Sequence, residues 1–143
     1  MGRVNPVTDS VYIDNAADAH LLAAERLQPG SPIAGRAYFI SNGEPRPVWD
    51  LVNAILAAGG KSPVTRTVPR WFAYAAAWGM ETYHHLRKRV DEPRLTRFVV
   101  AELSSAHWFD ISAARRDLGY TPTISIDEGL RRLAEWLARK GAT

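Results

Sequence analysis

The sequence predicts an α/β fold in one domain, about five helices with three or four short strands. Three observations support this. Short β-branched or aromatic runs alternate with stretches of helical apolar spacing, and Pro/Gly/Asn clusters separate them. The 143 residues, 46% hydrophobic and 23% charged, suffice for one packed core. No glycine-rich turn follows the first expected strand, so the backbone cradle that holds a pyrophosphate at a helix N-terminus is missing.

In chain order, residues 10–14 (Ser-Val-Tyr-Ile-Asp) read as a strand, and Asn15 as the N-cap of a helix over 16–27. Pro29-Gly30-Ser31-Pro32 ends that helix. Residues 35–40 (Gly-Arg-Ala-Tyr-Phe-Ile) form the next expected strand, turned by Ser41-Asn42-Gly43. Pro47 suits a first helical turn, Val48, Leu51, Val52, Ile55 and Leu56 share one apolar face, and Gly59-Gly60 stops the helix. Residues 64–68 have the composition of a third strand.

Residues 70–89 form a helix, apolar nearly all round in its first half and basic in its second. A short helix over 95–103 starts near Thr96. Trp108-Phe109-Asp110-Ile111 reads as a buried strand, followed by a helix from Ser112, which can cap it, to Leu118, with Gly119 at its left-handed end. In the final helix, Ser125 and Glu128 make a capping box, and Ile126, Leu130, Leu133 and Leu137 fall on one face. Gly141 lies just beyond its expected end.

Eighteen Lys plus Arg against fifteen Asp plus Glu, net +3, is too mild an excess for a nucleic-acid footprint. The chain has no cysteine, hence no disulfide framework or thiolate metal site, which suits a reducing compartment such as the cytoplasm. The opening Met1-Gly-Arg-Val-Asn-Pro has no secretory pattern and reads as a chain started in mid-fold. No run is apolar enough to span a membrane.

The ordered series D-N-x-A-D-A-H (14–20), G-x-A-Y-F-I (35–40), P-V-W-D (47–50), F-D-I-S-x-A-x-x-x-L-G-Y-x-P (109–122) and S-x-x-E-G-L (125–130) resembles the C-terminal part of the extended short-chain dehydrogenases. It is most similar to the 3β-hydroxysteroid dehydrogenase/isomerase family, including the 2-alkyl-3-oxoalkanoate reductases. The resemblance runs from about Asn5 to Leu137. It implies the substrate-side portion of a Rossmann-type reductase without a complete Rossmann domain, so that residues 1–143 form a single substrate-binding domain. The complete enzyme would use NAD or NADP on the hydroxyl or ketone of a steroid-like or long-chain 3-oxo substrate.

The family's Tyr-x-x-x-Lys pair is absent. Tyr12, Tyr38, Tyr74, Tyr83 and Tyr120 are followed at the fourth position by Ala16, Asn42, Trp78, Arg87 and Ile124. No catalytic or cofactor-binding residue is therefore assigned, the chain alone is expected to bind no NAD(P), and hydride transfer by it alone is not expected.

By resemblance, Thr8, Asp9 and Ser10 border the substrate pocket, against an equal reading as solvated loop; Thr8 and Ser10 are retained as candidates. Trp71, Tyr74 and Trp78 share a helical face with Ala75 and are candidates to line an apolar pocket. The same segment, ending in Arg87-Lys88-Arg89, also fits an interfacial membrane helix or a core helix. His107 is a candidate for hydrogen bonding near the cleft, with structural use favoured. Asp14 and Asn15 are read as helix caps, Tyr12 as pocket or core, and His20 as packed or hydrogen-bonded. Asp110 is read as an acceptor for the following turn. Adjacent His84 and His85 diverge by about 100° on a helix, which argues against a metal pair.

The partners expected are an apolar small molecule, a second copy or a separate Rossmann-containing chain, and a membrane surface. An unpaired strand edge motivates the second of these. Rival readings are a non-enzymatic apolar-ligand binder, a self-associating module and a peripheral membrane protein.

Overall fold

The computed structural model describes residues 5–66, 68–89 and 91–141. Among them are six helices and one antiparallel pair of two-residue strands. The order is β1 (Val7–Thr8), α1 (Ile13–Arg26), β2 (Arg46–Pro47), α2 (Val48–Ala58), α3 (Arg70–Leu86), α4 (Arg97–Glu102), α5 (Ser112–Leu118) and α6 (Ile126–Gly141). Val7 pairs with Pro47 and Thr8 with Arg46, and Thr8 also bridges His107 in parallel.

The main core lies where α1 meets α5. Ala19, Ile33, Ile111, Ala114, Leu118 and Tyr120 are buried, with Leu22, Ala23, Tyr38 and Ile40 against them. Tyr120 of the L-G-Y-x-P motif is fully enclosed, and its hydroxyl donates to the Ser41 carbonyl at 2.9 Å. Burial raises its pKa above the ordinary phenol value. Gly119, at φ 67°, supplies the left-handed residue that ends α5.

α2 packs on α6, and α3 on α4. The second contact is a small separate cluster of Ala73, Ala77 and Val100, with Tyr74 and Leu95 packed on it. Thr96 caps α4 by accepting from Val99 N–H at 3.1 Å. Ser125 Oγ accepts from Glu128 N–H at 3.2 Å. The Glu128 carboxylate turns instead to Arg131 and Arg132.

The strand expectations need correction. Residues 10–14 are not a strand: α1 begins at Ile13, because the chain behind it is tied down by Asn42. Residues 35–40 form no ladder and nor do 108–111, where Ile111 is buried but Trp108 and Phe109 are exposed. These two segments meet through stacked rings, Phe39 on Phe109 with centroids 4.2 Å apart. Residue 67 of the expected 64–68 strand lies outside the described residues, and 64–66 and 68 join no strand. A strand needs a neighbour to satisfy its main chain, and none is present at these edges. Gly141 is the last residue of α6 rather than a stop beyond it.

The accessible surface is 10128 Å², against roughly 7,400 Å² for a folded monomer of this mass.

Candidate functional site

An amide hub organises the molecule's centre. Asn15, one turn inside α1, is 1% exposed, and Asn42 is 4% exposed. Asn15 Nδ2 donates to Asn42 Oδ1 at 2.9 Å and to the Ile124 carbonyl at 2.7 Å. Its Oδ1 accepts from the N–H groups of Thr123 and Ile124 at 3.0 and 3.1 Å. Asn42 Oδ1 also receives Tyr12 N–H at 3.0 Å, and its Nδ2 donates to the Ile124 carbonyl at 2.8 Å. Asn15 is thus a cross-brace between three chain segments and not the cap of its helix, which Tyr12 precedes without a side-chain cap.

Around the hub, Asp9 accepts from Ser41 Oγ at 2.7 Å and from Glu44 N–H at 3.1 Å. Glu44 in turn accepts the Ile126 N–H at the start of α6 and pairs with Arg46. The Arg46 guanidinium also binds Asp127, which holds the arginine firmly protonated and lowers the Asp127 pKa. Asp9 therefore braces the 41–44 turn. Ser41 and Asn42 were legible in sequence only as a turn.

Beside the hub runs an apolar groove of about 330 Å³. Residues 10–13 form one wall, Leu51 and Ile55 of α2 and Leu130 and Leu133 of α6 the others, with Gly129 at the floor. Gly129 leaves room for the Tyr12 ring, since a Cβ there would lie 2.5 Å from Tyr12 Cδ2. Ser10 and Tyr12 are the hydroxyl-bearing residues of the lining.

Thr8, Ser10 and His107 converge on one patch, but only Ser10 lines the groove. His107 is held through its backbone, accepting from Asp9 N–H at 3.1 Å and donating to the Val7 carbonyl at 2.8 Å. Its Nε2 is shielded from solvent without a hydrogen bond and lies 3.5 Å from Glu102 Oε2, a distance at which a protonated ring forms an ion pair.

Trp71, Tyr74 and Trp78 lie elsewhere, on α3, and do not line this groove. Trp71 and Trp78 face solvent, and Tyr74 is half-buried on the α3–α4 cluster. Only the Ala73/Ala77 side of α3 is buried, so the helix is not a core helix enclosed on all sides.

His20 Nδ1 is engaged with the Ala16 carbonyl at 2.7 Å. Asp110 accepts the Ser112 N–H and hydroxyl at 2.8 and 2.5 Å, so the aspartate caps α5 in place of Ser112 itself. Those bonds hold the Asp110 carboxyl below its ordinary pKa. Among the described residues no group of three His, Cys, Asp or Glu is arranged to hold a metal ion, and no helix is long and apolar enough to cross a membrane.

The helices begin after Tyr12, Pro47, Pro69, Thr96, Ile111 and Ser125, and none of the described helix starts follows a glycine-rich turn. The left-handed glycines Gly30, Gly35, Gly43, Gly60 and Gly119 serve turns and helix ends.

Two solved structures carry a similar arrangement within longer chains. Gox2253 superimposes with a TM-score of 0.57 and 25% identity, over 98% of this chain and 41% of that one. The UDP-glucuronic acid 4-epimerase from Bacillus cereus, solved with NAD, gives a TM-score of 0.57 at 20% identity, over 96% of this chain and 33% of the epimerase. The chain thus shares the fold of part of each of these longer chains.

The model of the 3-beta hydroxysteroid dehydrogenase/isomerase family matches residues 1–69. The chain is 48% identical over 134 residues to a 2-alkyl-3-oxoalkanoate reductase of Shewanella oneidensis, covering 93% of this chain and 35% of the relative. To a protein of the same name from Stenotrophomonas maltophilia it is 50% identical over 125 residues, covering 87% and 38%. To the decarboxylating sterol-4-alpha-carboxylate 3-dehydrogenase of Schizosaccharomyces pombe it is 38% identical over 135 residues, covering 90% and 38%. The chain is similar to these relatives over most of its own length and spans little more than a third of theirs.

Proposed function

We propose that this chain is the substrate-side portion of an NAD(P)-dependent oxidoreductase acting on a hydroxyl or ketone of a steroid-like or long-chain 3-oxo molecule, and that residues 1–143 alone carry out no hydride transfer. The observation that carries this reading is a pairing: homology to reductases over nearly the whole chain, in a sequence without Tyr-x-x-x-Lys or a phosphate-binding turn. In the complete enzyme the nicotinamide supplies the redox chemistry. This portion supplies an apolar groove for the alkyl or ring body of the substrate. Ser10 in its wall, with Thr8 and His107 on the adjoining strand patch, supplies polar contacts. The proposed setting is the cytoplasm.

The test adds NADPH and a long-chain 2-alkyl-3-oxo acid or a 3-oxo steroid to the chain. We expect no NADPH consumption and saturable methyl NMR shifts at Leu51, Ile55, Leu130 and Leu133. Turnover would overturn the inactivity, and the lack of saturable shifts would overturn the substrate-binding role.

A second reading, pairing with another copy or with a separate Rossmann-containing chain, is favoured by the large exposed surface and the ladder-free segment 35–40. A concentration-independent monomer in sedimentation velocity, unchanged when a Rossmann-containing partner chain is added, would remove it. A non-enzymatic ligand binder predicts the same NMR shifts with no partner.

A further inference from the structure

The apolar groove beside the hub has a cationic neighbour, a second hollow of about 390 Å³ that shares Tyr12, Ile13, Gly129 and Leu133 with it. There the lining changes character: Arg132, Trp136 and Arg139 of α6 stand where the groove has Leu51, Ile55 and Leu130. At about 100° per residue, Gly129 and Trp136 run along the middle of this α6 face. Ile126, Leu130 and Leu133 fall on one flank of that line, and Arg132 and Arg139 on the other. α6 thus offers an apolar wall and a cationic rim side by side.

The helix dipole does not account for this rim. Cations complement the dipole within the last turn, which suits Arg139 and Lys140, whereas Arg132 stands in mid-helix. Arg132 Nη1 donates to the Asp14 carboxylate of α1 at 3.3 Å, its Nε donates to Glu128 at 2.8 Å, and its guanidinium lies 5.7 Å from the centre of the Tyr12 ring. The Asp14 contact is long, and the two side chains are 55% and 42% exposed. Asp14 therefore marks a place where Arg132 receives a carboxylate, and an incoming one can displace it. Lys140 Nζ, 4.5 Å over the Trp136 ring, adds a cation beside the rim. A neutral ring system would fill the apolar wall and leave the rim unused. An apolar chain ending in a carboxylate matches both.

We propose that the groove and the adjoining hollow form one site for a long-chain carboxylate, its chain against Ile55, Leu130 and Leu133 and its head at Arg132 and Arg139. This rests on the reading of the groove as the seat of an alkyl body, and adds the charge and direction of what the groove holds. No reducible group on the ligand is needed.

The test titrates the intact chain with dodecanoate, dodecanol and dodecylammonium, each kept below micellar concentration, and follows the methyl NMR signals of Ile55, Leu130 and Leu133 and the indole N–H of Trp136. We expect dodecanoate to shift the methyls and the indole saturably, and to bind about fivefold more tightly than dodecanol, the upper end for an exposed ion pair. Added salt narrows that margin. Replacing both Arg132 and Arg139 with Gln removes it and leaves dodecanol binding unchanged, and Asp14→Asn widens it about twofold. Ile55→Ser weakens both ligands alike, because it trims only the chain's wall. Circular dichroism checks that each variant keeps its helices, and the acid-to-alcohol ratio of the parent chain needs no variant. Dodecanol or dodecylammonium binding as tightly as dodecanoate would overturn the carboxylate site and leave the apolar groove standing. An acid preference that survives the double Gln replacement would overturn the placement of the head. No saturable shift with any of the three would overturn the groove reading as well.

Discussion

The hub region and the α3–α4 hairpin are built on opposite principles. Around Asn15 and Asn42, segments far apart in sequence are joined by buried amide hydrogen bonds, each with its donors and acceptors matched. The hairpin is held by small side chains, Ala73 and Ala77 against Val100, and by the Arg97–Glu81 pair at its surface. Its large side chains point outward. Buried polar networks fix one arrangement because every unpaired member is costly. An alanine seam specifies little beyond close approach and leaves the large aromatics free for another surface.

The sharpest way to break this contrast is Asn15→Leu. It leaves the N–H groups of Thr123 and Ile124 without their acceptor and takes one bond from Asn42 Oδ1, and should cost about 3 kcal/mol or more in urea unfolding. Trp78→Ser on the hairpin should stay within about 0.5 kcal/mol of the parent. Equal losses would erase the distinction.

Next in size is Gly129→Ala. Replacing a helical glycine gains about 1 kcal/mol in propensity. A Cβ at 2.5 Å from the Tyr12 ring displaces that ring, at about 1–3 kcal/mol. We expect net destabilisation together with weaker ligand shifts in the groove, and a stabilised variant with unchanged groove signals would refute the tight contact.

Val100→Ala should loosen the hairpin alone, by about 1–2 kcal/mol. Amide exchange should quicken in α3 and α4 while α1 and α5 keep their protection. Uniform acceleration would mean that the two regions open as one unit.

The smallest effect is electrostatic. Arg131 and Arg132 hold the Glu128 pKa down from 4.5 to about 2. A carboxylate with a depressed folded-state pKa stabilises fully above its unfolded pKa, and that contribution fades as pH falls from about 4.5 to about 2. The pair is solvent-screened, so the effect is slight. Glu128→Gln should flatten stability across that window and leave neutral-pH stability nearly unchanged. A steeper acid limb in the variant would contradict the assignment.

The local sequence by itself determined several of the helix ends. Gly119, Thr96, Ser125 and the Pro29–Pro32 cluster act on neighbours within one turn, and helical hydrogen bonds close over four residues. The family was legible for a related reason, since the ordered motifs encode those same junctions.

Tertiary structure alone decided the rest. Residues 35–40 and 108–111 have strand composition but become strands only beside a neighbour. Asn15 looks like a cap from its position, yet its partners sit 27 and 109 residues away. Nor could the α3 sequence show which of its apolar sides faces outward, because that depends on where Val100 packs. Contacts between distant segments form by three-dimensional complementarity, and no local spacing in the chain records it.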